Sequence, residues 1–302
     1  MEDFVERAWR LVLRRDPDPV ALERLGRGDV SPARLVRELV ESPEFARIEL
    51  LDDGLALALR ERLAPRDVRG PARPRGLHAP AWSDERAIEI PWCLARYDGE
   101  RRVLDVGTAN AEPAYVEGLR ALGAPELVGV DLAEPADVVA DVRALPFADG
   151  SFDLVFCVST LEHVGRDNEV YEVDAPRDEQ GDAAALRELH RVLAPDGRLL
   201  VSVPTGERDD QGWQLQRPPL EWVGLFEQGG FVVFEDELYL HGPDGWRAGE
   251  LAEAEGARYG GGGPGAGAVL LAELRPARLR EKVRLAIRDA KVPDEPRRST
   301  AH

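Results

Sequence analysis

Val103-Leu104-Asp105-Val106-Gly107-Thr108-Ala109-Asn110 is the stretch on which the reading of the whole chain turns. An apolar run around one acid stops at a glycine, and the next helix is expected to start near Pro113, because proline suits a first helical turn. A strand, a glycine turn and a helix in that order build the carboxyl edge of an open α/β sheet, which is where such sheets bind ligands. Gly107 has no Cβ, so the backbone can turn tightly and a ligand can come close to the amides of the following helix.

Outward from this stretch, Val130-Asp131-Leu132 places a second carboxylate 26 residues after Asp105, at the spacing of a βαβ unit. A carboxylate at the end of a second strand can accept two hydrogen bonds from ribose hydroxyls, which implies a nucleoside. Asp141 beside Val142 closes a third strand, and Ala144-Leu145-Pro146-Phe147 with Asp149-Gly150-Ser151-Phe152-Asp153 leads into a fourth, so acceptor and apolar contacts for adenine come together. Seven strands are expected, beginning at 103–106, 127–130, 138–140, 152–158, 198–203, 231–240 and 269–274, with helical stretches between them. That alternation marks an α/β fold, a Rossmann-like, doubly wound sheet with parallel strands and crossover helices. Ala185, Leu186, Leu189, Val192 and Leu193 form an amphipathic helix that should stop at Pro195-Asp196-Gly197.

Over residues 87–274 the chain resembles the class I methyltransferases that use S-adenosylmethionine (SAM). The residues that carry the resemblance are Asp105-Val106-Gly107, Asp131-Leu132, Asp141-Val142, Asp149-Gly150-Ser151-Phe152-Asp153-Leu154-Val155, Leu161-Glu162-His163-Val164 and Leu193-Ala194-Pro195-Asp196-Gly197-Arg198-Leu199-Leu200, all in register. The resemblance implies SAM as cofactor. It also implies that Asp105, Gly107, Thr108 and Ala109 form the loop facing its methionine part, that Asp131 and Leu132 hold the ribose, that Asp141 and Val142 flank adenine, and that Ser159 and Thr160 lie beside the methionine end. Ala109 and Ala111 stand where the common loop has glycines, and their methyl groups narrow that space.

A sulfonium is already a good leaving group, so holding an acceptor in line supplies much of the rate of methyl transfer, and a hydroxyl acceptor gains further from a base. His163, with Glu162 as neighbour, is the candidate base, since it follows the fourth strand and can titrate near neutrality; the alternative is that it caps a loop or orients the cofactor. Trp213 and Trp246, among Gly, Gln and Asp, are candidates for stacking on an acceptor, whereas Trp222, at helical spacing with Leu220, Val223 and Phe226, is expected in the core. The carboxylates from Asp167 to Asp182 suit a lid or a solvated loop, and no metal is assigned to them.

The 302 residues divide into a helical module over 1–63, a Pro/Gly/Arg-rich linker over 64–81, the SAM-binding domain over 82–275 and a basic tail over 276–302. The N-terminal all-α module, through Arg15-Asp16-Pro17-Asp18 and Ser42-Pro43-Glu44-Phe45, resembles a small module of unassigned function found in bacterial surface-polysaccharide proteins, which favours a sugar or polysaccharide precursor as the O-methylated acceptor. From Arg275 onward nine Lys/Arg stand against four acids, yet the chain carries a net charge of −18, so duplex nucleic acid is excluded as a partner and a small-molecule or glycan acceptor fits better. Two cysteines without a CxxC pair, and no apolar run long enough to span a bilayer, point to the cytoplasm. Two other readings stay open: a non-catalytic SAM-fold protein that binds a partner, suggested by Ala109 and Ala111, and, last, an NAD-dependent oxidoreductase, against which the missing GxGxxG counts. No oligomeric state follows from the sequence.

Overall fold

In the computed structural model the described residues are 76–277, apart from 122, 172–175 and 262, together with residues 9, 38, 39 and 42. Apart from those four residues, the helical module expected over 1–63 lies outside them, as do the linker up to residue 75 and the tail from 278.

Strand β1, Arg102–Val106, alternates its side chains between two cores. Leu104 and Val106 enter one core, which is built with Ala185, Leu186 and Leu189 of helix α3 (Gly181–Val192) and Trp222 and Phe226 of helix α4 (Pro219–Gln228). Val103 enters the other, built with Ile88, Trp92 and Leu94 of helix α1 (Arg86–Leu94) and Tyr115 and Leu119 of helix α2 (Pro113–Ala121). Helices on both faces bury both faces of the central strands, which is why β4, Phe152–Val158, and β5, Leu193–Pro204, read as near-continuous apolar runs. Trp92 and Trp222 are fully buried, one on each face, and truncating either to alanine would cost about 3–5 kcal/mol.

Strands β2, Glu126–Asp131, and β3, Val138–Val139, extend the sheet beyond β1, and β8, Phe231–Gly242, β9, Gly245–Gly249, and β10, Ala268–Pro276, extend it beyond β5. The order is β3-β2-β1-β4-β5-β10-β8-β9, and β6, Asp209–Asp210, pairs with β7, Leu215–Gln216, in a separate two-stranded ladder. The first five are parallel, but β10 runs antiparallel between β5 and β8, so the sheet is mixed and has eight strands, one more than expected. A parallel return needs a crossover of a dozen or more residues, usually a helix, and between β8 and β10 the chain holds only β9 and a short 3-10 turn, Leu251–Ala254. Strand β9 folds back on β8 through Pro243-Asp244, and Gly245, at φ +99°, lies so close to Ala79 that an added Cβ would sit 2.1 Å from its carbonyl oxygen.

Two boundaries differ from the sequence reading. Helix α3 stops at Val192, and Leu193 is already extended (φ −80°, ψ 135°) and paired with Phe152, because β4 offers it a partner. The end of the expected linker is ordered: Leu77 and Ala79 are buried, the Leu77 N–H donates to the Tyr239 hydroxyl at 3.2 Å, and Ala79 bridges to Trp246. Apolar residues between breakers found a sheet to cover.

Candidate functional site

The carboxyl ends of β3, β2, β1 and β4 open side by side on a cleft of about 230 Å³. At its centre Gly107 has φ +92°, and its N–H donates to the Val130 carbonyl at 2.9 Å. A Cβ there would lie 2.2 Å from Thr160 Oγ1, so the exits of β1 and β4 approach as they do only because residue 107 is glycine. Thr160 Oγ1 lies within hydrogen-bond distance of the Val106 and Val158 carbonyls, at 3.1 and 2.9 Å. Ser159 is the one non-glycine described residue with positive φ, at 41°; its N–H donates to Ser202 and its hydroxyl donates to Glu89 Oε1 at 2.7 Å. A serine held in this sparsely populated region is strained, and its surroundings must hold it there.

Asp131, at the end of β2, lines the cleft and is aimed by two backbone donors: Ala109 N–H to Oδ2 at 2.9 Å and Ala133 N–H to Oδ1 at 3.2 Å. Each carboxylate oxygen keeps a lone pair for a further donor. Leu132, Asp141 and Val142 continue the wall. Arg143 grips Asp141 through Nε and a terminal nitrogen at 2.6–3.0 Å; partial burial pushes the Asp141 pKa upward, but these hydrogen bonds outweigh it and hold the carboxyl below its ordinary range.

Of the expected cofactor residues, the structure brings Gly107, Asp131, Leu132, Asp141, Val142, Ser159 and Thr160 to the cleft wall and leaves Asp105, Thr108 and Ala109 behind it. Asp105 lies on the opposite face of β1 from Val106, nearly fully buried, and accepts the Tyr115 hydroxyl at 2.6 Å. Burial pushes its pKa up to about 7 against the pull of that hydrogen bond. Thr108 packs its methyl over Gly129, and Ala109 contributes only the N–H that aims Asp131. Ala111 lines the cleft, but neither Ala109 nor Ala111 has positive φ, so this backbone path does not require glycine at either position.

His163 lines the cleft from a 3-10 turn, Leu161–His163, and Glu162 beside it is buried. His163 Nδ1 sits 3.0 Å from the Trp213 carbonyl, so Nδ1 carries the proton and donates, leaving the Nε2 lone pair free, 3.7 Å from Glu162 Oε1. Contrary to the expectation that His163 titrates near neutrality, burial lowers its pKa to about 4, so the ring is neutral at pH 7. Burial raises Glu162 to about 8, and its Oε2 has no partner among the described residues. Trp213 stacks on His163 with ring centroids 5.2 Å apart, and Tyr171 meets the same ring edge-on at 5.4 Å. Trp246 is not part of this group. It is 2% exposed, donates its Nε1–H to the Ser83 carbonyl at 3.0 Å and packs in the core, because β9 lays it against residues 79–83. The acidic segment answers arginines: Asp178 meets Arg143 at 3.4 Å and Asp182 meets Arg217 at 2.5 Å.

Absent from the expected site residues are Arg86 of α1, which reaches the cleft from the helix preceding β1, and Glu89, buried behind it. Arg86 lines it, and Glu89, fully buried, accepts from Arg86 at 2.6 Å and from Ser159. A signal was present: Glu89 stands between Ile88 and Ile90 in a helix whose later residues are all buried, where a carboxylate persists only with partners.

Residues 104–201 match the family model described as "Methyltransferase domain". Among curated relatives, the chain is 36% identical over 124 residues to the demethylmenaquinone methyltransferase of Thermus thermophilus, covering 36% of this chain and 49% of that one. It is 35% identical over 117 residues to the malonyl-[acyl-carrier protein] O-methyltransferase of Halorhodospira halophila, covering 34% of each. The chain thus spans at most about half the length of the curated relatives it matches. Among solved structures, the 1,6-didemethyltoxoflavin-N1-methyltransferase of Burkholderia thailandensis, bound to S-adenosylhomocysteine, aligns at 17% identity and a TM-score of 0.39 over 59% of this chain and 72% of that one. Among the described residues no helix is long and apolar enough to cross a membrane. Residues 104–201 are therefore similar to a methyltransferase domain.

Proposed function

We propose that the protein transfers a methyl group from SAM to a small-molecule acceptor, with a hydroxyl of a sugar or polysaccharide precursor as the favoured target. The observation that carries the transfer is the line of strand ends: Asp141 and Val142 after β3, Asp131 on β2, Gly107 after β1 and Thr160 after β4 border one cleft in that order. The residues fit the cofactor: an apolar and acceptor wall for a purine, a carboxylate for a diol, and a glycine cradle that a Cβ would fill. When bound, the cofactor supplies an activated methyl group. The preference for a sugar rests on the resemblance of the 1–63 module, and the two buried cysteines suit a reducing cytoplasm.

The chain's own part is to hold and to accept a proton. Asp131, fixed by the Ala109 and Ala133 amides, orients the nucleoside end. His163, neutral at pH 7, offers Nε2 to an acceptor hydroxyl while Nδ1–H stays on the Trp213 carbonyl, and Glu162 stands next to the nitrogen that takes the proton.

Two measurements test this reading. Titration calorimetry with SAM and S-adenosylhomocysteine should give micromolar binding to the wild type and a loss of about tenfold or more for Asp131→Ala, the effect of removing a charged hydrogen-bond acceptor. A folded wild type that binds neither ligand would remove the catalytic reading. For the base, His163→Gln should lower kcat by about 10²–10⁴ while leaving S-adenosylhomocysteine affinity within twofold. Equal losses in both quantities would instead make His163 part of the cofactor wall.

A further inference from the structure

We propose, resting on the SAM reading, that Arg86 is the anion-binding residue of the cleft and takes the carboxylate at the amino-acid end of the cofactor, with Glu89 as the residue that positions it. The strand ends step across the cleft at about 4.8 Å each. A nucleoside held by Asp131 on β2 and by Asp141 and Val142 after β3 directs its remaining substituent over β1 toward β4. At that end α1 brings in Arg86 beside Ser159.

A carboxylate leaving water for a half-enclosed cleft needs charged donors. The described wall has two cations, Arg86 and Arg143. Arg143 belongs to the adenine end and is taken by Asp141, with Asp178 at 3.4 Å. Arg86 gives one terminal nitrogen to Glu89 at 2.6 Å, the one hydrogen-bond partner of its guanidinium among the described residues, while its side chain stays 29% exposed. The rest of its planar fork has the donor geometry that a carboxylate accepts. Nearby acids compete weakly: Glu85 Oε2 is turned to the Ala266 N–H at 2.9 Å, and burial keeps Glu162 largely protonated at neutral pH.

Glu89 sets where the guanidinium points. It is fully buried, with one carboxylate oxygen on the Ser159 hydroxyl and the other on Arg86, so the cation and the strained turn after β4 are held by the same group.

The test compares two ligands on the full-length protein by calorimetry: S-adenosylhomocysteine, and 5′-methylthioadenosine, which keeps the nucleoside and sulfur but lacks the amino-acid end. Arg86→Leu should weaken S-adenosylhomocysteine at least tenfold and change 5′-methylthioadenosine by less than twofold. Arg86→Lys should recover part of the loss, and Glu89→Gln should weaken S-adenosylhomocysteine selectively, by less than Arg86→Leu does. Loss of both ligands together in Arg86→Leu and Arg86→Lys would make Arg86 a structural residue and overturn the assignment. Unchanged S-adenosylhomocysteine affinity with a raised KM for the acceptor would overturn it in favour of an acceptor-binding role. A wild type that binds neither ligand overturns the cofactor reading itself and is told apart from both by needing no variant.

Discussion

Alanine at position 107 is expected to destabilise the protein by about 2–5 kcal/mol and to abolish measurable cofactor binding. Two costs combine. Residue 107 has φ +92°, which an L side chain rarely adopts, and the new Cβ would meet Thr160 Oγ1 at 2.2 Å, Cγ2 at 2.9 Å and Cβ at 3.1 Å. Rotating the hydroxyl away does not suffice, because the whole Thr160 side chain is in the way and its Oγ1 lies between the Val106 and Val158 carbonyls. The loop must then move off β4, and the wall shared by Gly107 and Thr160 opens. Urea denaturation and titration with S-adenosylhomocysteine read the two effects. The double variant Gly107→Ala/Thr160→Ala should recover part of the stability, since the clash eases while the φ strain stays. A single variant within 0.5 kcal/mol of the wild type, with normal binding, would contradict the geometry.

The second large effect is one of pH. Glu162 has a folded pKa of about 8 against an ordinary value of 4.5, and Asp105 about 7 against 3.8, in both cases chiefly because burial disfavours the charged form. A raised carboxyl pKa means that the folded state holds a proton which the unfolded state has released. Stability is therefore fully present below about pH 4 and is lost as pH rises through about 7–8, at up to about 1.4 kcal/mol per pH unit for each group. Glu162→Gln keeps the shape and removes the titration. It should match the wild type near pH 4 and exceed it by about 2 kcal/mol or more at pH 8, measured as the difference between urea denaturation curves. No gain at pH 8 would mean that the Glu162 carboxylate is already solvated or paired. Such a cost is tolerable where the group has a use, which the proposed role of His163 as base would give its neighbour.

Much of the cleft was legible along the chain because its lining residues sit at strand ends, where strand, turn and acid recur in a short span. Gly107, Asp131 and Asp141 follow from that local grammar, whereas Thr160 came only from the resemblance; α2 starting at Pro113 and α4 placing Trp222 in the core follow from helix signals. What failed did so where a second segment decided the outcome. Trp246, in a stretch of Gly, Asp and Pro, reads as a loop residue until β8 gives its backbone a partner. Asp105 reads as a cofactor residue until the alternation of β1 turns it toward Tyr115.

The sequence by itself determined the class of fold, the order of its elements and the row of residues along the cleft, since hydrophobic period, turn chemistry and spacing are properties of neighbours in the chain. Only the tertiary structure decided that β10 returns antiparallel between β5 and β8, that Arg86 reaches the cleft while Glu89 meets Ser159 across 70 residues of chain, and that Glu162 is buried beside His163. Those are matters of which distant groups share a low-dielectric space, and burial, the quantity that sets both their contacts and their protonation, exists only once the layers have closed.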